Sequence, residues 1–407
     1  MKILMINKFY YLRGGTERYI FELSKILENH GHSVIPFSMQ DEKNIKSKFD
    51  QYFIKKVNLE KFNLINILKF FYNYDAIKKL KKLIKNEKPD IAHLHNIAHQ
   101  ISPAIIKILK KNNIPIIQTL HDYKLICPNY KLYSNNQICE QCLNNKYYNC
   151  FFKKCMHNSW TKSFLAMIEA YLNNKILKYY DLVDLFIAPS QFMKNIYIKF
   201  GLKESKIKVI YNFINNLNII EEKNCKENYI LYFGRLSSEK GINILIKAIK
   251  KINFNIKLKI VGIGPEYKNL KILIKKLNLQ NKIELIGAKY DKDLIKIIKC
   301  AKAIIIPSIW YENMPLAAIE AIAINKTVIA SNIGGIPEII KNNINGLLFE
   351  SENENDLVQK INYYFKNPKL EKIFYKNNKI IFKNNFSNSN VDKIELIYNM
   401  LLNKIIR

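Results

Sequence analysis

The sequence predicts an α/β protein made of two doubly wound domains, and three observations carry that prediction. Short β-branched runs alternate with amphipathic helical stretches along all 407 residues, the pattern of parallel sheets covered by helices. The runs form two sets of six. Between the sets, positions 212–228 are polar, rich in Asn and Glu and weakly periodic, which suits a connector rather than a core element.

The first set is predicted at 3–6, 33–37, 91–94, 114–118, 185–188 and 208–210, the second at 230–233, 258–261, 283–286, 303–306, 327–330 and 346–349. The first run ends at Asn7 and leads through Gly14, Gly15, Thr16 and Glu17 into a helical pattern of Tyr19, Ile20, Leu23, Ile26 and Leu27 that stops at Gly31. A Gly pair where a strand meets a helix lets backbone approach a ligand, and the unbonded N–H groups and helix dipole favour an anion there. The third Gly of a dinucleotide fingerprint is missing, which counts against NAD. The division that follows is a domain over 1–211 with a Cys-rich insertion at 127–157, a linker at 212–228, and a second domain over 229–407 whose last helix is expected to pack back on the first domain.

The charge demands its own reading. Lys and Arg number 65 against 34 Asp and Glu, a formal +31, which first suggests a polyanionic partner. Only four residues are Arg, the other 61 being Lys, and the excess is spread over both halves (+18 in 1–210, +13 in 211–407). A recognition helix, a His-ligated finger and an aromatic RNA-binding motif are all missing, so a nucleic-acid-binding protein is the lesser reading. No apolar run approaches the ~18 residues of a membrane span, and no cleavable apolar leader follows Met1, so a cytoplasmic location is expected.

Several loops carry chemistry. Gly234, Arg235 and Lys240 follow the strand 230–233, and an Arg at a loop mouth in so Lys-biased a chain suits a diphosphate's bidentate recognition. After the strand 303–306 come Trp310, Tyr311 and Glu312-Asn-Met-Pro-Leu-Ala-Ala-Ile-Glu320. Pro315 is expected in the first helical turn, with Glu312 in the loop and Glu320 about two turns along on a similar side. Gly334-Gly-Ile-Pro-Glu338 adds a Gly-rich turn. Thr119-Leu-His121-Asp122 places an imidazole at a strand end. His93 and His95 share one strand face, where packing is the expected role, and Asp291-Lys-Asp293 is expected to cap a helix rather than hold a metal.

Taken together, Gly14-Gly15, Gly234-Arg235 with Lys240, Val261-Gly-Ile-Gly-Pro-Glu266, the Glu312-x7-Glu320 pair and Gly334-Gly-Ile-Pro-Glu338 resemble the retaining glycosyltransferases of family 4, over nearly the whole chain. The resemblance implies the GT-B fold, two Rossmann-like domains facing a central cleft. It also implies transfer of a hexose-type sugar from a UDP- or GDP-sugar, with retention, to a polysaccharide or lipid-linked glycan acceptor of bacterial-type envelope biosynthesis. Arg235 and Lys240 would neutralise the diphosphate and Glu320 would accept from the ribose hydroxyls. Glu312 would contact the hexose, and backbone around Asn313, Met314, Pro315 and Leu316 would hold phosphate or sugar. Gly14 and Gly15 would join the donor site, and His121 would orient the sugar and stabilise charge at the anomeric carbon. No catalytic metal is then needed, because fixed cations stabilise the leaving group. Asn313-Met314 replaces the family's frequent Phe-Gly and resembles a Glu-Asn-x-Pro variant, leaving the donor's identity open. A scaffold of this fold without activity is a further reading, opposed by the presence of Glu312, Glu320, Arg235, Lys240 and His121.

Five of seven Cys lie between Cys127 and Cys155, and Cys139-x2-Cys142-x7-Cys150-x4-Cys155 could hold a structural zinc; free thiols are the equal alternative, with a disulfide less favoured in a reducing compartment. Basic and aromatic residues at 62–88 (Phe70, Phe71, Tyr72, Tyr74, then Lys78, Lys79, Lys81, Lys82, Lys85) and the helix at 160–180 are candidates for peripheral contact with an anionic membrane, on the inner face of the plasma membrane.

Overall fold

A computed structural model describes residues 1–58, 64–215 and 227–406; Phe62 of the basic-aromatic stretch and positions 216–226 of the expected linker lie outside them. The chain divides into two compact units. The first comprises Met1–Leu132, Cys139–Tyr211 and Asn388–Arg407, the second Tyr133–Ile138 and Asn212–Ser387, so the last helix counts with the first unit.

In the first unit, strands β1 (Lys2–Ile6), β2 (Ser33–Phe37), β3 (Ile91–Leu94) and β4 (Ile116–Thr119) are followed by a small hairpin, β5 (Tyr133–Ser134) and β6 (Gln137–Ile138), that clusters with the second unit, and then by β7 (Leu185–Ala188) and β8 (Ile207–Val209). The six-stranded sheet has the order β2-β1-β3-β4-β7-β8, with every pairing parallel. β3, β4 and β7 are buried at every position, as a sheet with helices on both faces requires. The hairpin had no counterpart among the expected strands; each of its arms is only two residues long, too short to show alternation.

The last helix, Ser389–Ile406, docks on this unit through buried Val391, Ile394 and Tyr398 and through Glu395, whose carboxylate meets His30 Nδ1 at 3.1 Å and His32 Nε2 at 2.7 Å.

The second unit holds β9 (Tyr229–Phe233), β10 (Lys257–Val261), β11 (Ile283–Gly287), β12 (Ala303–Ile306), β13 (Val328–Ser331) and β14 (Gly346–Phe349) in the order β11-β10-β9-β12-β13-β14, again all parallel. Helix Ile242–Lys251 turns Ile242, Leu245, Ile246 and Ile249 into a core with Ile230, Leu258 and Ile260. Each such side chain contributes about 1.5–3 kcal/mol by burial. Strand order reverses between β9 and β12 here and between β1 and β3 in the first unit. Chain leaving two neighbouring strands in opposite directions opens a crevice at their carboxyl ends, where ligands of such sheets bind.

Candidate active site

In the second unit, the loop after β9 carries Arg235 and Lys240, and the loop after β12 carries Ser308, Trp310 and Glu312. Backbone joins the two loops, since the Ile309 N–H donates to the Glu239 carbonyl at 3.0 Å. Gly241 sits in the left-handed region at φ 65°, and a Cβ there would lie 1.9 Å from the Pro307 oxygen; only glycine permits so close an approach. The stitched loops place Lys240 Nζ 2.7 Å from Glu312 Oε1, which also accepts from Ser308 Oγ at 2.6 Å, while Lys240 Nζ stands 5.3 Å from the centre of the Trp310 ring.

The Glu312 backbone is fixed from a third side. Its carbonyl accepts from the Gly335 N–H at 2.7 Å, and a Cβ on Gly334, at φ 61°, would meet that carbonyl oxygen at 2.4 Å. The Gly334-Gly335 turn thus packs on and bonds the Glu312 backbone. Glu312 and Glu320 are both buried, Glu320 within helix Leu316–Ala323. Pro315 is the N-cap of that helix rather than part of its first turn, and no side chain caps it, so the first N–H groups point out of the helix end. Met314 offers less than expected. Its side chain is buried, its N–H donates to Asn313 Oδ1 at 2.7 Å and its carbonyl accepts from Asn212 Nδ2 at 3.2 Å.

Arg235 is exposed at the mouth of the β9 loop and makes no ion pair among the described residues. Two buried atoms on these loops, Trp310 Nε1 and Ser237 Oγ, have no hydrogen-bond partner among the described residues.

In the first unit, the ends of β1, β3 and β4 bring Asn7, His95 and His121 together. Buried Asn7 ties the region: its Nδ2 donates to the Phe9 carbonyl at 2.8 Å and to Glu17 Oε1 at 3.4 Å, and its Oδ1 accepts from the Asn96 N–H at 3.2 Å. Gly14 and Gly15 lie exposed where helix Gly15–Asn29 begins. Gly14 has extended backbone at φ −170°, and a Cβ there would meet nothing nearer than Glu17 Oε2 at 3.8 Å, so neither conformation nor packing demands glycine.

His121 is half-buried. Its Nε2 lies 2.8 Å from His95 Nδ1, whose ring reaches Met5 Sδ through Nε2 at 2.9 Å and stacks on His93 at 4.4 Å. His93 in turn meets Tyr398 OH and Thr119 Oγ1, each at 2.7 Å. Burial pushes His121 and His93 down to about 3, and His95 well below its ordinary value, so all three rings are neutral near pH 7.

Sequence reasoning missed the charged cluster beside them. Buried Glu169 accepts from Lys124 Nζ at 2.7 Å and from His99 Nε2 at 3.1 Å. Burial alone would raise its carboxyl, but Lys124 and His99 outweigh it and hold Glu169 down at about 2. Lys8, after β1, is pushed down by burial against the opposing pull of Asp122. The one signal available was Glu169 itself, the single acid in the largely apolar helix Trp160–Tyr171.

Asp291 and Asp293 lie in the first turn of helix Asp291–Cys300, but Tyr290 holds the N-cap position and no side chain caps the helix. The expected cap is therefore not made; acidic groups near the positive end of the helix dipole are favourable without it. Among the described residues no helix is long and apolar enough to cross a membrane.

Comparison with known proteins identifies the family. A family model described as Glycosyltransferase Family 4 matches residues 13–216, and one described as Glycosyl transferases group 1 matches residues 214–380. An uncharacterized glycosyltransferase of Methanocaldococcus jannaschii is 30% identical over 93% of this chain and 92% of its own. The N-acetylgalactosamine-N,N'-diacetylbacillosaminyl-diphospho-undecaprenol 4-alpha-N-acetylgalactosaminyltransferase of Campylobacter jejuni is 30% identical over 49% of this chain and 55% of its own. Among solved structures, HepE of Anabaena in complex with UDP-glucose superposes with a TM-score of 0.70 at 18% identity, over 99% of this chain and 100% of that one.

Proposed function

Because the chain belongs to glycosyltransferase family 4 and has the two parallel sheets of the GT-B fold, we propose that it moves a hexose-type sugar from a UDP- or GDP-sugar to a glycan or lipid-linked acceptor, with retention at the anomeric carbon. The observation that carries this reading is the meeting of Lys240 with buried Glu312 at the switch point of the second unit, with an exposed Arg235 on the same loop as Lys240 that makes no ion pair among the described residues. A cation held by a carboxylate and a second left unpaired suit a ligand with both hydroxyls and negative charge, as a sugar diphosphate has.

In the proposed reaction the bond from the anomeric carbon to the diphosphate oxygen breaks, and the acceptor oxygen bonds to that carbon on the same face. The leaving diphosphate takes the acceptor's proton. Lys240, Arg235 and the uncapped N-terminus of Leu316–Ala323 would stabilise the charge growing on the leaving group, with no metal ion required. Glu312 would accept from a sugar hydroxyl, Glu320 from the ribose, and the Trp310 and Ser237 donors would find partners in the ligand. His121, neutral, would serve the sugar from the first unit, and Gly14-Gly15 would leave helix amides accessible to the ligand.

The Campylobacter relative's name specifies a diphospho-undecaprenol acceptor, and HepE was solved with UDP-glucose; both support the proposed substrate classes. Exposed Leu68, Tyr72 and Tyr74 beside exposed Lys78, Lys81, Lys82 and Lys85 suit peripheral contact with anionic lipid on the cytoplasmic face, each Lys adding ~1 kcal/mol. Co-sedimentation with anionic but not neutral vesicles tests that part.

The main test is a thermal-shift screen of UDP, GDP and their sugars, followed by NMR of the product's anomeric configuration. The reading expects one nucleotide class to raise Tm and the donor's configuration to persist. Stabilisation by heparin or DNA with no nucleotide effect would overturn it, and an inverted product would overturn the retaining assignment.

A further inference from the structure

We propose that His30, Asp392 and Glu395 bind one zinc ion that clasps the last helix of the chain to the rest of the first unit. Ligand atoms of these three side chains lie within 4.8 Å of one another. Cys139, Cys142, Cys150 and Cys155 do not meet in this way. Among the described residues no three of their sulfur atoms come within ligand distance of one another, and Met156, Met167, Tyr171 and Phe200 pack their cluster, so that segment does not fit the zinc site expected of it.

Local backbone sets both sides of the group. Helix Gly15–Asn29 ends at His30, its C-cap, and Gly31 follows at φ 83°, a conformation that turns the chain back at once. The Gly31 N–H donates to the Glu28 carbonyl and the His32 N–H to the Leu27 carbonyl, each at 3.0 Å, and the turn they fix lets His30 and His32 reach one carboxylate. On the other side, Asp392 and Glu395 stand three residues apart in helix Ser389–Ile406 and therefore share a face. Both oxygens of Glu395 lie 3.1 Å from His30 Nδ1.

Charge points the same way. Two carboxylates on one helix face repel, and in a chain so rich in Lys neither is neutralised by one. Glu395 pairs with His30 and His32 alone, and Asp392 makes no hydrogen bond or ion pair among the described residues. A divalent cation cancels both charges, and one imidazole with two carboxylates is a donor set that zinc accepts, water filling the remaining position at this exposed place. Zinc takes the place of the hydrogen between His30 Nδ1 and Glu395, and the ring keeps its hydrogen on Nε2. His32 stands outside the ligand group. Its Nε2 donates to Glu395 Oε1 at 2.7 Å, the outer hydrogen bond by which metal sites orient a ligating carboxylate. One turn along the same helix, Tyr398 OH meets His93 Nδ1 at 2.7 Å, so an ion at Glu395 fixes the register in which Tyr398 reaches the buried ring.

Calorimetric titration of Zn²⁺ into the full chain, stripped of metal and kept reduced, tests the proposal. About one ion per chain is expected, bound at least about tenfold more weakly by His30→Ala and Asp392→Asn, which alter exposed side chains. Glu28→Gln, which removes an exposed acid at the same helix end but outside the group, should leave the affinity unchanged. Co²⁺ in place of zinc separates this site from the cysteines, since imidazole and carboxylate ligands give visible bands without sulfur-to-metal charge transfer. Should either ligand variant fail to fold, the cobalt spectrum of the wild type decides alone. A wild type that takes up no zinc, equal affinity in the wild type and both ligand variants, or a cobalt spectrum dominated by sulfur charge transfer overturns the proposal.

Discussion

Nδ1 of His95 lies 2.8 Å from Nε2 of His121, and the group at the far side of the His95 ring decides which of the two nitrogens carries the proton. Met5 Sδ, 2.9 Å from His95 Nε2, can only accept, so the tautomer assigned to the neutral His95 ring carries its hydrogen on Nε2 and a lone pair on Nδ1. His121 must then donate from Nε2, which places its own lone pair on Nδ1. A thioether on the first strand thus sets the tautomer of the histidine proposed to serve the sugar.

Met5→Leu removes that acceptor. The expected result is a mixture of His121 tautomers in ¹⁵N ring spectra at pH 7 and turnover lower by about 10- to 100-fold with little change in donor affinity. A wild-type His121 already protonated on Nδ1 would contradict the relay.

Glu320→Ala is expected to weaken nucleotide binding, and Glu312→Ala mainly to lower turnover. Calorimetric titration and steady-state kinetics separate the two effects. Lys240→Met should do both and also cost stability, roughly 3 kcal/mol, because Glu312 is buried and would keep only its Ser308 partner. Near-wild-type activity of both Glu variants would remove this segment from the donor site.

Gly334→Ala forces a side chain into the left-handed region and against the Glu312 carbonyl. A stability loss of about 1–3 kcal/mol in urea unfolding is expected, together with lower turnover as the Glu312 loop shifts. Unchanged kinetics would mean that the Gly-rich turn does not hold Glu312 in place.

Acid should destabilise the first unit in two windows. His93 takes up a proton near pH 6.5 when unfolded but only near 3 when folded, so the unfolded chain binds more protons between these values and stability rises with pH across them. At pH 4.5 this buried ring alone costs about 2–3 kcal/mol relative to pH 7.5. Glu169, held at about 2 against an ordinary 4.5, contributes stability that is present above pH 4.5 and lost as pH falls toward 2. His93→Gln should make the upper window shallower in urea titrations, leaving the part that His95 and His121 contribute. Glu169→Gln should flatten the lower one, while lowering stability at neutral pH by removing a buried ion-pair partner. An upper window of equal depth in wild type and His93→Gln would refute the assignment.

The fold was legible because burial on both faces of a parallel strand writes a continuous apolar run. The runs at 33–37, 91–94, 185–188, 303–306 and 346–349 coincide with the observed strands to the residue. Runs such as 114–118 slipped by a residue or two, since Ile114 is apolar but lies before the ladder begins. Loop residues drew attention where chemistry is unusual for the composition: a rare Arg, a Gly pair, two acids spaced along a helix start.

Partnerships were not legible. Nothing local in the sequence ties Lys240 to Glu312, Glu395 to His30 and His32, or Glu169 to Lys124 and His99, because each pair is joined only when separate strand ends and helices meet. Strand pattern and loop chemistry, being local, were set by the sequence alone. Which cation neutralises which acid, and which imidazole nitrogen holds its proton, was decided by the tertiary structure, since both depend on burial and on distances of about 3 Å between residues far apart in the chain.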